Sequence, residues 1–195
     1  MAGKTIITGK AEKCRQVLEV IEQKLNTGIG KQEIFEELSQ NYSYEYTVAQ
    51  LVAMTPPHSL KQRYKRLNQI LIALLLFAAL VKVLVALPIL SRLPAVAFPL
   101  LILVPALNVW FAMEIAKFKG YIYRPAGLLA LAALFKAILP EDGIASYGLA
   151  GWVIYGLNCL LILAIAVLAF YLAKRLFPNY GLLGPKRDPK GNYLF

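Results

Sequence analysis

The chain has 195 residues, of which 58% are apolar and only 16% are charged, and its formal net charge is +10. Soluble domains contain about 45–50% apolar and about 25% charged residues, so this composition is typical of a membrane protein. Intrinsic disorder is excluded, because disordered chains have low hydrophobicity. In a soluble protein this positive charge would suggest nucleic-acid binding, whereas in a membrane protein it indicates which side faces the cytoplasm. The distribution of the basic residues along the chain distinguishes these two interpretations.

The charged residues are concentrated at the two ends of the chain. Residues 1–66 contain ten Lys and Arg and seven Asp and Glu, whereas residues 67–173 contain nine charged residues in all. We therefore predict a soluble N-terminal segment that is followed by a membrane-embedded region.

The soluble segment shows the apolar spacing of short helices. We predict a first helix over residues 12–26, ended by Gly28 or Gly30, and a second over 31–40. A third helix is predicted to begin at Thr47, where Thr-Val-Ala-Gln matches a capping box. The apolar residues that define these helices are Val17, Leu18, Ile21, Leu25, Ile34, Phe35, Leu38, Leu51 and Val52.

The second and third of these helices are similar in outline to a helix-turn-helix motif. Both lack basic residues that could contact base edges, and Glu33, Glu36 and Glu37 would repel the DNA phosphates. We therefore expect no nucleic-acid partner, and we interpret the segment as a helical module that binds a cytoplasmic protein partner or a signal.

Four apolar stretches are candidates for membrane-spanning helices. They are joined by short connections, which favour an up-and-down bundle of antiparallel helices. Ser59 begins a capping box, and because no helix breaker follows before Pro88, residues 60–87 are predicted to form one continuous helix. The predicted spans are residues 67–87, 93–116, 123–139 and 147–172.

The basic residues assign a direction to these spans. Four lie directly before the first span (residues 61–66), three lie between the second and third (residues 117–124), and five follow the fourth (residues 174–190), which makes twelve, whereas the opposite loops contain only Arg92. By the positive-inside rule, both termini are cytoplasmic and the protein lies in the cell membrane. The third predicted span has a short charge-free stretch, because Arg124 and Lys136 lie near its ends. We nevertheless expect it to cross the membrane fully, since a full crossing keeps the basic tail on the cytoplasmic side.

The predicted fold class is therefore all-α: a polytopic membrane protein with a four-helix transmembrane bundle and a small N-terminal cytoplasmic helical module. The module comprises residues 1–59, the bundle 60–177, and a basic cytoplasmic tail 178–195. Glycines and prolines interrupt the tail, so we expect it to lie on anionic lipid headgroups, with its last three residues as an anchor or a docking peptide.

The sequence contains few residues that could carry chemistry. His58 is the only histidine, Cys14 and Cys159 match no metal or redox spacing, and Glu141 and Asp142 form an isolated acidic pair. We therefore predict that the protein is not an enzyme and that it has no catalytic residues, no metal and no cofactor.

Among the polar residues inside the predicted spans, we single out five, because ionisable groups in a membrane are candidates for function. The simpler interpretation is that the lysines have no functional role and extend their charged ends toward the membrane surface. The alternative is that they line a vestibule that attracts anions in a pore. These candidate pore residues are Lys82, Lys136, Glu114, Asn108 and Asn158.

A stripe of small residues on the third span is suited to close helix packing, either within one chain or between chains. Its members are Ala126, Ala130, Ala133 and Ala137.

Three functions fit these features. Our leading hypothesis is a non-enzymatic membrane protein whose cytoplasmic module binds a partner or signal and whose bundle self-associates as a homo-oligomer within the lipid bilayer. A small channel or transporter subunit for ions or small anionic solutes is the alternative. A membrane-embedded enzyme is the third.

Overall fold

The structure is a computed structural model that describes residues 3–42, 44–90, 98–138 and 148–195. Within these ranges the chain forms seven α-helices and no β-strand, which confirms the all-α class. The helices are α1 (Gly3–Asn26), α2 (Lys31–Asn41), α3 (Glu45–Met54), α4 (His58–Leu90), α5 (Phe98–Ala116), α6 (Gly120–Ile138) and α7 (Gly148–Leu176).

The chain divides into two compact units. The N-terminal unit comprises Met1–Tyr64 together with Arg175–Phe195, and the apolar unit comprises Lys65–Lys174. The C-terminal tail is therefore part of the same unit as the first three helices. The sequence predicted a separate tail from residue 178 onward, and nothing in its local pattern indicates this packing.

The core of the N-terminal unit is formed by one apolar face from each of α1, α2 and α3. The buried residues repeat at the spacing that predicted these helices, because positions three and four apart lie on the same side of a helix. They are Val17, Ile21, Leu25, Ile34, Phe35, Leu38, Val48, Ala49 and Val52.

The tail completes this core. Tyr193 is buried, and its ring meets that of Phe35 edge-on at a centroid distance of 5.4 Å. Phe195 also packs on Phe35, at 4.9 Å. The aromatic end of the tail is therefore inserted into the protein, which differs from the expectation that it anchors the tail in lipid.

The two glycines that were predicted to end the first helix have different roles. Gly28 has a φ of +87°, a left-handed conformation that favours glycine, and the Ile29 N–H donates to the Lys24 carbonyl at 3.2 Å. Gly28 therefore ends α1, and Gly30 is instead the N-cap of α2.

The predicted start of α3 is wrong. The helix begins at Glu45, Tyr44 is the N-cap without a side-chain hydrogen bond, and Thr47 lies in the first turn. The Val48 N–H donates to the Tyr44 carbonyl at 3.1 Å, so Thr47 already lies inside the helix, and Val48 and Ala49 next to it are buried in the core.

Two helices are long and apolar enough to cross a membrane. They are the segment His58–Leu84 of α4, with 27 residues, and Gly151–Leu176 of α7, with 26 residues. Only 28% and 17% of their most apolar windows are buried, so neither is the enclosed core helix of a soluble domain. The predicted continuous helix over residues 60–87 is confirmed within α4.

The other two predicted spans are not established by length. In α5 the described apolar segment Ile102–Ala116 is shorter than a span, and α6 has 19 residues. Residues 93–97 of the second span, residue 139 of the third, and the loop with Glu141 and Asp142 lie outside the described residues. The four-span bundle therefore remains a prediction.

Candidate functional site

A cavity of about 190 Å³ lies between α4, α5, α6 and α7 in the apolar unit. Two of the five predicted polar residues, Lys82 and Asn108, line it. The rest of the wall is apolar and includes Leu75, Phe111, Ala126, Ala130, Ala133, Ile162 and Ile165. The cavity therefore presents one ammonium group and one amide in otherwise apolar surroundings.

Lys82 is the charged group of this cavity. Its side chain is partly buried, and among the side chains that the structure describes it has no hydrogen-bond or ion-pair partner. Asn108, also partly buried, adds a donor and an acceptor to the same cavity. The ammonium group could pair with an anion in these apolar surroundings, and the Asn108 amide could form hydrogen bonds with the same occupant.

Lys136 and Asn158 are not brought to this cavity. Lys136 is exposed near the end of α6, and Asn158 is partly buried on α7, and neither lines the cavity wall. Within one chain, Lys136 therefore does not join Lys82 in this cavity, and a cluster of the two lysines around an axis between subunits stays a prediction.

Glu114 has a local structural role at the turn between α5 and α6. Its buried carboxylate forms ion pairs with Lys117 at 3.1 Å and Lys119 at 2.6 Å, and accepts a hydrogen bond from the Tyr121 hydroxyl at 2.6 Å. The turn contains Phe118 with a φ of +53°. Three donors satisfy this carboxylate, so it holds the turn and does not face the cavity.

A buried polar network connects α4, α5 and α6, and the sequence-based candidates missed it. The Asn68 amide donates to the Ile115 carbonyl at 3.0 Å, and the Tyr123 hydroxyl donates to Asn68 Oδ1 at 2.6 Å. Asn68 was detectable as a polar residue within an apolar stretch, but its partners lie 47 and 55 residues away. Because each group is satisfied, we assign the network a structural role.

The alanine stripe of α6 faces the interior of the chain. Ala126 is buried, and it lines the cavity together with Ala130 and Ala133, while Ala137 is partly buried. Three of the four alanines therefore line the internal cavity, and close packing of the stripe, within one chain or between chains, stays a prediction.

The N-terminal unit contains a larger cavity, of about 390 Å³. Lys31, Ser59 and Asn179 contribute its polar side chains. Its apolar wall is formed by Leu25, Ile29, Ala53, Pro57, Leu60, Leu176, Pro178 and Phe195. These residues come from five separate stretches of the chain, which is why no local motif indicated the site.

Lys31 is the only charged side chain in the wall of this second cavity. Its ammonium group donates to the Ala53 carbonyl in the last turn of α3 at 3.2 Å. Burial lowers its pKa from 10.5 to about 8, because an ammonium group loses hydration inside the protein. At neutral pH the cavity therefore carries a positive charge that an anionic ligand would stabilise.

Residues suited to catalysis or metal binding are not brought together in the described ranges. No group of three His, Cys, Asp or Glu side chains there is arranged to hold a metal ion. His58 is exposed at the first residue of α4, and Cys14 and Cys159 belong to different units.

Comparisons with protein-family models, with curated proteins and with solved structures find no match to this chain. Its class is therefore defined by its own structure, as an all-helical protein with two helices that are able to cross a membrane.

Proposed function

We propose that the protein is a non-enzymatic integral membrane protein with four spans and cytoplasmic termini. Support comes from the two long apolar helices, from the apolar character of α5 and α6, and from the charges that flank the proposed spans, with twelve basic residues (in 61–66, 117–124 and 174–190) on the proposed cytoplasmic side against one on the other. In this arrangement the N-terminal unit lies in the cytoplasm.

The proposed activity is the binding of a small anionic ligand by the N-terminal unit, as a signal. The observation that carries this proposal is the 390 Å³ cavity with the Lys31 ammonium group in its wall. Small-molecule sites commonly have volumes of about 300–1,000 Å³, mostly apolar walls and a few placed polar groups. This cavity has those properties, so its preferred ligand combines an apolar portion with a single anionic group.

Titration of the full chain with hexyl phosphate tests this proposal. Reductive methylation with ¹³C-formaldehyde gives each lysine an NMR signal, and the Lys31 signal is assigned by its absence in Lys31→Arg. We expect a saturable shift of that signal, with a raised pKa because a bound anion favours the charged amine. Hexanol, which lacks the anion, and inorganic phosphate, which lacks the chain, should bind more weakly.

The exposed residue Lys190 is the internal control, because it lies outside the cavity wall. A shift that does not saturate, or that is equal at Lys31 and Lys190, would contradict ligand binding in the cavity.

We further propose that the apolar unit forms homo-oligomers through the outer face of α7. Large apolar side chains along this helix are exposed in the single chain, among them Leu149, Trp152, Ile154, Leu157, Leu160 and Val167. Contact with lipid would also cover such an apolar face. Crosslinking in native membranes therefore distinguishes contact with lipid from contact with a second copy of the chain. Leu157→Cys is expected to form a disulfide-linked dimer, whereas Lys82→Cys, which lines the internal cavity, should not.

A second function is favoured by the cavity at Lys82, namely that of a channel or transporter subunit for small anions. Chloride flux into proteoliposomes tests it. Lys82→Gln should reduce the flux strongly, whereas Lys136→Gln, which removes an exposed lysine that does not line the cavity, should leave it near the wild-type rate. Equal effects of the two substitutions, or no flux in the wild type, would exclude this function.

A further inference from the structure

A turn in the N-terminal unit presents two leucines to the outside of the protein. Leu183 is 90% exposed and Leu182 is 48% exposed. The turn is closed by a hydrogen bond from the Gly181 N–H to the Gly184 carbonyl at 2.6 Å. We call residues 181–184 the leucine turn. Burial of these two exposed leucine side chains against an apolar partner would be favourable, because it would remove their apolar surface from water.

The backbone of the leucine turn is attached to α3. The Tyr46 hydroxyl donates to the Leu183 carbonyl at 3.1 Å. Gly184 has a φ of +151°, and a Cβ atom there would lie 2.6 Å from the Tyr46 hydroxyl oxygen. Glycine therefore permits the close approach of Tyr46, and this contact fixes the position from which the leucines project.

The surroundings of the turn are basic. Residues 175–195 contain four basic residues and one acidic residue. Arg175, Lys186 and Arg187 are exposed on either side of the turn in sequence. Exposed leucines between basic residues are typical of segments that lie at the surface of an anionic membrane.

Chain connectivity keeps the turn near the end of a helix that is able to cross a membrane. Leu183 follows Leu176, the last residue of α7, by seven residues. At a maximum of about 3.5 Å per residue, its Cα lies within about 25 Å of that helix end. The lipid headgroups around α7 are therefore within reach, and the positive charge complements their phosphates.

We infer that the leucine turn inserts into the anionic leaflet from which α7 emerges. Leu182 and Leu183 enter the boundary between headgroups and acyl chains, while Arg175, Lys186 and Arg187 contact lipid phosphates. Tyr46 would connect α3 to the inserted turn. This role rests on the proposed membrane topology, and it is independent of ligand binding in the cavity at Lys31.

Fluorescence quenching in lipid nanodiscs that hold one full-length chain each provides the test. Cys14→Ser and Cys159→Ala remove the native thiols, and Leu182→Cys carries the environment-sensitive label NBD. In discs with phosphatidylglycerol we expect blue-shifted emission and quenching by brominated acyl chains. The quenching should be several-fold stronger than for the same label at Lys190→Cys, an exposed position on the same tail.

Two further experiments test whether the quenching depends on Leu183 and on anionic lipid. Adding Leu183→Ser should reduce the quenching at position 182 toward that of the control, and so should phosphatidylcholine discs without anionic lipid. Equal quenching at positions 182 and 190, or quenching that Leu183→Ser does not change, would overturn the inference. A blue shift that appears only in discs with two chains would also overturn it, because a second copy would then cover the turn.

Hydrogen exchange of the unmodified chain provides a measurement that needs no substitution. The peptide covering residues 179–186 should exchange more slowly in anionic discs than in neutral discs, whereas the peptide 188–195 serves as the internal reference. The same exchange of 179–186 in both lipids would contradict insertion.

Discussion

Lys31 makes the stability of the N-terminal unit depend on pH in the alkaline range. Its pKa is about 8 in the folded chain and 10.5 in the unfolded chain, so between these values the unfolded chain binds more protons. The free energy of unfolding therefore rises with pH across this range, at up to about 1.4 kcal/mol per pH unit. Below pH 8 the cost of burying the charged amine is fully present.

Pulse proteolysis in urea, performed on the full chain in nanodiscs between pH 7.5 and about 10, measures this rise. Lys31→Met removes the amine and Lys31→Arg keeps its charge across the range, so both variants should lack the contribution. We expect the difference between wild type and either variant to change by about 1–3 kcal/mol over the interval. A constant difference would mean that the Lys31 amine stays hydrated.

A single hydroxyl supports the polar network of the apolar unit. Tyr123 is buried, and Tyr123→Phe would leave Asn68 Oδ1 without its donor at 2.6 Å. Loss of a buried hydrogen-bond partner costs about 1–3 kcal/mol. The unfolding free energy in mixed detergent micelles should fall by this amount. The double variant with Asn68→Leu should lose less than the sum of the two single variants, and strict additivity would contradict the coupling.

At the scale of elements, the apolar spacing predicted most core residues of α1 and α2, because burial of one helix face is a local, periodic property. Leu18 is the exception, since it is only partly buried and does not belong to the core. Boundaries were less predictable. The helix α3 begins two residues before the capping motif, and Val48 and Ala49 near its start pack into the core, a tertiary contact that the motif does not record. The position of the tail was not predictable, because Phe35 and Tyr193 are distant in sequence and no local pattern pairs them.

Candidate site residues were predictable where a single residue is unusual for its local sequence, and they were missed where the site depends on tertiary contacts. Lys82 and Asn108 stood out because polar groups are rare in apolar helices, and both line the cavity of the apolar unit. Glu114 stood out for the same reason, but its partners Lys117, Lys119 and Tyr121 assign it to a turn. The Lys31 cavity was missed, because a lysine at the start of a soluble helix has no unusual signal in sequence.

Docking of the tail is expected to contribute measurably to the N-terminal unit. Tyr193 packs edge-on against Phe35, and the Arg187 guanidinium lies 4.5 Å from the centre of the Tyr193 ring. Tyr193→Ala should lower the unfolding free energy by about 2–4 kcal/mol and speed tryptic cleavage of the tail. Leu194→Ala, which truncates a neighbouring side chain that is 41% exposed, is the matched control. Equal cleavage rates for the two variants would show that the tail does not depend on this contact.

At the scale of the whole molecule, the proposed topology depends on whether α6 crosses the membrane. The helix begins at Gly120, three residues before the predicted start, and its 19 residues extend about 28 Å at 1.5 Å per residue. A hydrocarbon core is about 30 Å thick, so the helix is nearly long enough to cross it. Local thinning or the extension of Arg124 and Lys136 toward the surface would absorb the difference.

Single cysteines that replace Glu141 and Lys190, in a chain without Cys14 and Cys159, test the crossing. If α6 crosses, these positions lie on opposite sides of the membrane. A membrane-impermeant maleimide should label position 141 in intact cells, and position 190 only after permeabilisation. Protection of position 141 together with labelling of position 190 in intact cells would mean that α6 returns to the cytoplasmic side. The positive-inside rule opposes that outcome for α7 as well, since a returning α6 would move the basic tail outside.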